Sequence, residues 1–261
     1  MRHNGRAIET FTTWDRLEIA YQRWGAAESS LPPVVLHHGF VADADSNWVA
    51  PGVVGALVAA GRQVLAPDAR GHGRSEKPHD PDRYGEQRMA RDLGALLDVV
   101  GAQEVDLVGY SMGAVVALIY ASGGQRVRRL VVGGVGSGVV ECGGVDRRAV
   151  SNESIIQALS AEDPATLEPS PAIAFRRLAD ALGGDREALV AQASAIYRGE
   201  IALDRIAAPT LVLAGDTDPM ALRPEVLVAA IPDAELRMLD GNHTHAVVDP
   251  RFASSIVEFL A

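Results

Sequence analysis

Short apolar segments alternate with helical segments along most of this chain. Most of the apolar segments carry few polar residues, which is typical of strands buried on both faces of a parallel sheet. They lie at 33–38, 63–67, 105–109, 127–132, 210–214 and 235–239. Helices are predicted between and after them at 47–60, 83–100, 112–121, 224–230 and 251–260. This alternation predicts an α/β fold with a mostly parallel central sheet and helices on both faces.

Two regions depart from the alternation. Residues 10–13 and 17–22 are extended-type runs on either side of Trp14-Asp15-Arg16, which predicts a β-hairpin before the first buried strand. Residues 139–201 contain no convincing strand, and helix-like stretches occur there at 154–159, 171–182 and 186–197. We therefore expect a core made of residues 1–138 and 202–261, with a helical cap at 139–201 over the strand ends.

Composition and charge exclude several classes of protein. Hydrophobic residues make up 48% of the chain and charged residues 22%, which are ordinary values for a globular protein. The net charge of −10 argues against a nucleic-acid partner, which needs a basic surface. The single cysteine, Cys142, cannot form an intrachain disulfide. No H-E-x-x-H motif or cluster of carboxylates is present, so we expect no metal site.

No targeting or membrane segment is predicted. The basic residues among 1–6 are followed by no apolar run, so they do not resemble a secretory signal. No stretch approaches the roughly 18 consecutive apolar residues that a membrane-spanning helix needs. We interpret the chain as a cytoplasmic protein without a membrane partner, and the pattern favours no particular oligomeric state.

The candidate nucleophile is Ser111, in the sequence Gly109-Tyr110-Ser111-Met112-Gly113. This G-x-S-x-G motif stands where a predicted buried strand runs directly into a predicted helix. Such a turn is tight and strained, so larger side chains two residues away on either side would collide with backbone. The serine oxygen would then lie at a helix N-terminus, where free backbone N–H groups favour negative charge.

A serine hydroxyl needs a general base, and the base needs a group that orients it. In folds with this motif the chain order is serine, then acid, then histidine. His243 and His245 are the two histidines that follow Ser111 in the sequence, so the base is one of them.

The chain resembles the α/β-hydrolase superfamily, in particular its small single-domain members with a helical cap. The resemblance covers the chain from about residue 33 to its end, without the insertion. It rests on His38-Gly39 as an oxyanion loop, residues 68–75 as a D-x-R-G-x-G-x-S loop, residues 109–113, residues 211–219 ending in G-x-x-D-P, and Gly241-Asn242-His243 followed by Asp249-Pro250.

The resemblance assigns roles to particular residues. It makes Asp218 the acid, with Asp216 as the alternative, and His243 the base, with His245 as a residue near the pocket mouth. It also implies that the backbone N–H groups of Phe40 and Met112 form an oxyanion hole.

Pocket residues follow from the same comparison. Phe40 and Trp48 are expected to form walls of an acyl pocket, although Trp48 fits a core position at least as well. His38 and Tyr110, from the oxyanion loop and the nucleophile motif, are also predicted to lie at the pocket.

We therefore predict a serine hydrolase that cleaves a small carboxylic ester or lactone and needs no cofactor. One alternative keeps the same three residues in a cofactor-free perhydrolase or haloperoxidase, or in an enzyme that cleaves C–C bonds. Another is a hydrolase-like binding protein whose catalytic residues are vestigial. Serine at residue 111 argues against dehalogenase and epoxide hydrolase relatives, which place aspartate there.

Overall fold

The computed structural model of the protein describes residues 6–26, 31–124 and 126–261. Residues 1–5 lie outside this range, and with them most of the segment on which the prediction about a secretory signal rests. None of the helices within the described ranges is long and apolar enough to cross a membrane.

Eight strands of the described residues form one sheet, in the order β1-β2-β4-β3-β5-β6-β7-β8. β1 pairs antiparallel with β2, β2 pairs antiparallel with β4, and all later neighbours are parallel. The strands are β1 (Ala7–Thr12), β2 (Glu18–Trp24), β3 (Val34–His37), β4 (Val64–Pro67), β5 (Val105–Tyr110), β6 (Val127–Gly133), β7 (Thr210–Gly215) and β8 (Ala234–Leu239). The predicted α/β-hydrolase fold and its mostly parallel sheet are confirmed.

Helices cover both faces of this sheet, because β3, β4, β5 and β7 are apolar on both sides and must be buried on both. One apolar layer contains α2 and α3, and the other contains α1 and α9. The helices outside the predicted cap are α1 (Val53–Ala59), α2 (Glu86–Val99), α3 (Met112–Ser122), α8 (Pro224–Ala230) and α9 (Pro250–Phe259).

The prediction of one continuous helix over residues 47–60 is wrong. A short π-helical turn, Asp45–Val49, precedes α1, which begins only at Val53. The break falls at Pro51-Gly52. Gly52 adopts a left-handed conformation with φ of 86°, and proline has no N–H to continue the helical hydrogen bonding.

The described residues of 139–201 contain helices and no strand. These helices are α4 (Ser137–Cys142), α5 (Asn152–Ser160), α6 (Ala172–Leu182) and α7 (Arg186–Ser194). α4 begins two residues before the predicted cap boundary. Ile155, Leu159 and Leu189 form a small apolar cluster of their own, which Val41 from the core joins. The exact division of the chain into core and cap remains a prediction.

Candidate active site

Ser111 lies at the turn between β5 and α3, in a conformation that side chains rarely adopt. Its φ is 55° and its ψ is −115°, and a positive φ at a residue other than glycine costs of the order of 1–3 kcal/mol. The surrounding structure maintains this conformation, since the Ser111 N–H donates to the Gly133 carbonyl of β6 at 2.8 Å. The strand–turn–helix connection therefore presents the hydroxyl at the carboxyl edge of the sheet.

The two glycines of the motif are required by packing. A Cβ at Gly113 would collide with the backbone carbonyls of His37 and His38 at the end of β3. A Cβ at Gly109 would collide with the backbone of Gly113. Only glycine allows α3 to begin this close to the neighbouring strand.

A chain of hydrogen bonds joins Ser111 to His243 and His243 to Asp218. His243 Nε2 lies 3.0 Å from Ser111 Oγ, and His243 Nδ1 lies 2.8 Å from Asp218 Oδ2. The other carboxylate oxygen of Asp218, Oδ1, accepts a hydrogen bond from the Met220 N–H at 2.8 Å. Asp218 is buried, and its two partners fix the orientation of the carboxylate toward the imidazole.

The two alternative residues lie elsewhere. Asp216 is exposed, and its Oδ1 accepts a hydrogen bond from the Gly241 N–H at 2.8 Å. His245 is also exposed, and its Nδ1 lies 2.8 Å from Asn242 Oδ1. Both residues therefore brace the loop that carries His243, and neither contacts Ser111.

Tyr110 also supports that loop. The sequence predicted that it would line the pocket, and in the structure it does not. Its hydroxyl donates to the His243 carbonyl at 2.5 Å, and the two rings lie 5.3 Å apart. Burial raises the pKa of Tyr110, so the phenol stays protonated as a donor. Gly134 makes room for this arrangement, because a Cβ there would press on both rings. Sequence reasoning missed Gly134.

The predicted oxyanion loop passes directly against the nucleophile. A Cβ on Gly39 would lie only 3.3 Å from Ser111 Cβ, and the Gly39 N–H is held by Asn47 Oδ1 at 2.8 Å. Phe40 follows in the loop, and Met112 is the first residue of α3, where N–H groups lack helical acceptors. Across the ranges that the structure describes, neither of these two amides donates to another protein atom.

His38 and Trp48 do not line the pocket. This corrects the expectation for His38, and for Trp48 it favours the core position over the pocket wall. His38 is fully buried, its Nδ1 donates to the Gly39 carbonyl, and its Nε2 accepts from the Ala69 N–H, both at 2.8 Å. Burial lowers the pKa of His38, which keeps it neutral. Trp48 is fully buried and stacks on Phe252. Both side chains therefore support the loop and the core.

A cavity lies over Ser111, with about 500 Å³ of empty space that includes the open solvent at its mouth. The core loops and the predicted cap both contribute to its mostly apolar lining. Its lining residues are Phe40, Glu86, Ser111, Met112, Val145, Asp146, Arg147, Val150, Asn152, Ile155, Phe175, Gln192, Ala193, Ile196 and Met220.

Glu86 is one of the lining residues that sequence reasoning missed, and it lies outside the predicted cap. It is the first residue of α2, a position where acidic residues are common because they interact favourably with the helix dipole. Such residues are ordinarily solvated, and no pattern in the sequence distinguishes this one as buried.

Comparison with known proteins places the chain in a family. A family model for the alpha/beta hydrolase fold matches residues 32–136. The chain is 30% identical to 2-hydroxymuconate semialdehyde hydrolase of Pseudomonas putida over 77% of each protein. It is 29% identical to a non-heme haloperoxidase of Rhodococcus erythropolis over 88% of this chain and 90% of that one.

Two further matches differ in extent. Epoxide hydrolase A of Mycobacterium tuberculosis is 45% identical over 91 residues, so the match spans 27% of that protein. The crystal structure of a hydrolase from Pseudomonas aeruginosa superposes with a TM-score of 0.78 at 28% identity, covering 97% of this chain and 98% of the other. With the nucleophile turn, the sheet order and these relatives in agreement, the chain belongs to the α/β-hydrolase family.

Proposed function

We propose that this protein is a serine hydrolase that cleaves a small carboxylic ester or lactone through an acyl-enzyme on Ser111. The observation that carries the proposal is the hydrogen-bonded chain from Ser111 through His243 to Asp218, which opens into a mostly apolar cavity. A nucleophile, a base and an orienting acid in this order are the parts that acyl transfer requires.

In the proposed first step, Ser111 Oγ attacks the carbonyl carbon while His243 Nε2 takes its proton. Asp218 stabilises the imidazolium through Nδ1. The Phe40 and Met112 amides stabilise the oxyanion, since both residues line the cavity with Ser111 and neither N–H donates to another atom of the described residues. Proton return from His243 to the leaving oxygen releases the alcohol.

In the proposed second step, water replaces the alcohol. His243 takes a proton from this water, and the resulting hydroxide attacks the acyl carbon of the ester formed on Ser111. Collapse of the tetrahedral species returns the proton to Ser111 and frees the acid. The apolar walls of the cavity, such as Phe175 and Ile155, suit the hydrocarbon part of such an acid.

A fluorophosphonate probe together with ester and lactone substrates tests the proposal. The wild-type protein is expected to bind one equivalent of the probe and to hydrolyse p-nitrophenyl esters. Ser111→Ala is expected to lose labelling and at least about 10³-fold in kcat while keeping its fold. Ser122→Ala is the matched control and should behave as wild type; this serine is the last residue of α3, and its hydroxyl donates to the Ile119 carbonyl.

Two results would contradict the proposal. Labelling that persists in Ser111→Ala would remove the nucleophile assignment. A wild-type protein that neither reacts with the probe nor hydrolyses any ester or lactone would favour a binding protein instead.

A second candidate, a cofactor-free perhydrolase, is supported by the haloperoxidase relative, which aligns over 90% of its length. Peracid formation from acetate and hydrogen peroxide, assayed beside ester cleavage, separates the two activities. The semialdehyde hydrolase relative similarly supports an assay of C–C bond cleavage. Epoxide hydrolysis is not proposed, because serine occupies the nucleophile position.

The proposed partner is a small-molecule substrate, without nucleic acid or membrane. The cytoplasmic location remains a prediction from the sequence. The acidic net charge supports the absence of a nucleic-acid partner. The single cysteine is compatible with a reducing cytoplasm.

A further inference from the structure

Glu86 is a carboxyl group buried in the wall of the substrate cavity. It is the first residue of α2, it is 1% exposed, and it lines the same cavity as Ser111, Phe40 and Met112. Glutamate is almost never fully buried unless a partner compensates its charge, because removal from water is costly. The structure therefore raises the question of what compensates this carboxyl.

Backbone amides provide only part of the compensation. The Tyr197 N–H, just after α7, donates to Glu86 Oε2 at 2.6 Å. Burial raises the pKa of Glu86 to about 7, although the hydrogen bonds from the Tyr197 amide and from its own amide lower it. Within the described ranges, no arginine, lysine or histidine side chain forms a hydrogen bond or ion pair with this carboxyl.

The other charged groups of the cavity wall are already engaged. Asp146 accepts two hydrogen bonds from the Arg148 guanidinium, at 2.6 and 2.8 Å. Arg147 donates to the Cys142 carbonyl at 2.9 Å. Within the described ranges neither Glu86 nor Arg147 has an ionic partner, but Arg147 is only half-buried, so Glu86 is the fully buried charged group of this wall without one.

The neutral polar groups near Glu86 are also engaged. Gln192 Oε1 accepts from the Gly85 N–H at 3.4 Å, and Asn152 Nδ2 donates to the Ala193 carbonyl at 3.3 Å. Neither side chain donates to Glu86. The rest of the wall around this carboxyl is largely apolar, so a ligand in the cavity meets one strong acceptor.

We infer that Glu86 selects substrates that carry a hydrogen-bond donor, a hydroxyl or an ammonium group, on an otherwise apolar chain. A donor placed there would restore the interaction that the carboxyl lost when it left water. A plain alkyl chain would leave the carboxyl unsatisfied, which disfavours binding. The inference rests on the proposed ester hydrolysis at Ser111 and adds the substrate class.

A purely structural role for Glu86 predicts different kinetics. Its bond to the Tyr197 amide joins α2 to the segment after α7, so loss of the carboxyl could loosen the cap. Such loosening would lower kcat/KM for every substrate by a similar factor. Glu86→Gln keeps an acceptor oxygen for the Tyr197 N–H, so the cap contact survives while the charge is lost.

The experiment compares three p-nitrophenyl esters of matched length: an alkanoate, an ω-hydroxyalkanoate and an ω-aminoalkanoate. They are measured at pH 8, above the pKa of about 7 that burial gives Glu86, so that its carboxylate is ionised. Each ester is assayed over a series of chain lengths with wild type, Glu86→Gln and Glu86→Met. We expect wild type to prefer a donor-bearing ester by about 10- to 100-fold in kcat/KM, the range for a hydrogen bond to a charged group. The larger preference identifies the hydroxyl or the ammonium as the donor.

Both variants are expected to lose this preference while still hydrolysing the alkanoate. Glu225→Gln, an exposed glutamate in the first turn of α8, is the matched control and should keep it. Alkanoate hydrolysis without a donor preference at any chain length, or a preference unchanged in Glu86→Gln, overturns the inference and leaves the proposed function intact. A wild-type protein that hydrolyses none of the esters contradicts the proposed function itself.

Discussion

Replacing Glu86 with glutamine tests the burial of its carboxyl without any substrate. Burial holds the pKa of this group at about 7, against an ordinary value of 4.5. Between these two pH values the folded protein keeps a proton that the unfolded chain has released. The free energy of unfolding therefore decreases as the pH rises through this interval.

The size of the effect follows from the two pKa values. One pKa unit corresponds to about 1.4 kcal/mol. Integrating the dependence of stability on bound protons from pH 5 to pH 8 gives a loss of roughly 2 to 3 kcal/mol in the free energy of unfolding of wild type from this group. Glutamine does not titrate, so the stability of Glu86→Gln relative to wild type should increase by about the same amount over this interval.

Guanidinium chloride titrations at a series of pH values measure this difference, with the fluorescence of the three tryptophans as the signal. The two proteins share every other titrating group, so the difference between their free energies of unfolding at each pH reports on Glu86 alone. Glu225→Gln provides the control, since an exposed carboxyl should leave the difference near zero. A Glu86→Gln difference that stays constant within about 0.5 kcal/mol from pH 5 to pH 8 would refute the reasoning.

Three other changes test the site and its support. Asp218→Asn is expected to lower kcat by about 10⁴-fold. Asp216→Asn should lower kcat by less than about tenfold, because Asp216 only braces the histidine loop. Ester kinetics with the reverse order would identify Asp216 as the catalytic acid. Gly113→Ala should destabilise the fold by about 3 kcal/mol or more, because its methyl group meets two backbone carbonyls, and thermal melting close to that of wild type would contradict this packing. Burial lowers the pKa of His72 to about 3, so below pH 6.5 the unfolded chain takes up a proton that the folded protein does not, and the free energy of unfolding falls. Wild type should therefore lose about 2 kcal/mol relative to His72→Asn between pH 7 and pH 5. Denaturant titrations in which the two proteins show the same pH dependence would contradict this prediction.

Much of the fold could be predicted because its signals are local. β3, β5 and β7 are short apolar runs, and each run length and its flanking residues identify a strand. The turn at Ser111 was predictable for the same reason, since the glycines two residues away avoid collisions between a side chain and nearby backbone. Residues 216 and 218 both stood in the right loop, and only the structure shows which of them meets His243.

The features that the sequence missed or left open depend on contacts between distant parts of the chain. Trp48 belongs to the core because Phe252, about two hundred residues later, stacks on it. Glu86 is buried because the segment after α7 covers the start of α2. In each case the sequence around the residue is compatible with either environment, so only the tertiary arrangement decides.

Val41 links the proposed oxyanion loop to the cap. This residue directly follows Phe40, has a left-handed backbone with φ of 70°, and buries its side chain in the apolar cluster of α5, α6 and α7. An exchange of cap helices between relatives, made to change specificity, would therefore also change the packing that holds the Phe40 amide. Cap grafts that keep a side chain of matching volume over Val41 should retain turnover, and grafts that leave a void there should lose it.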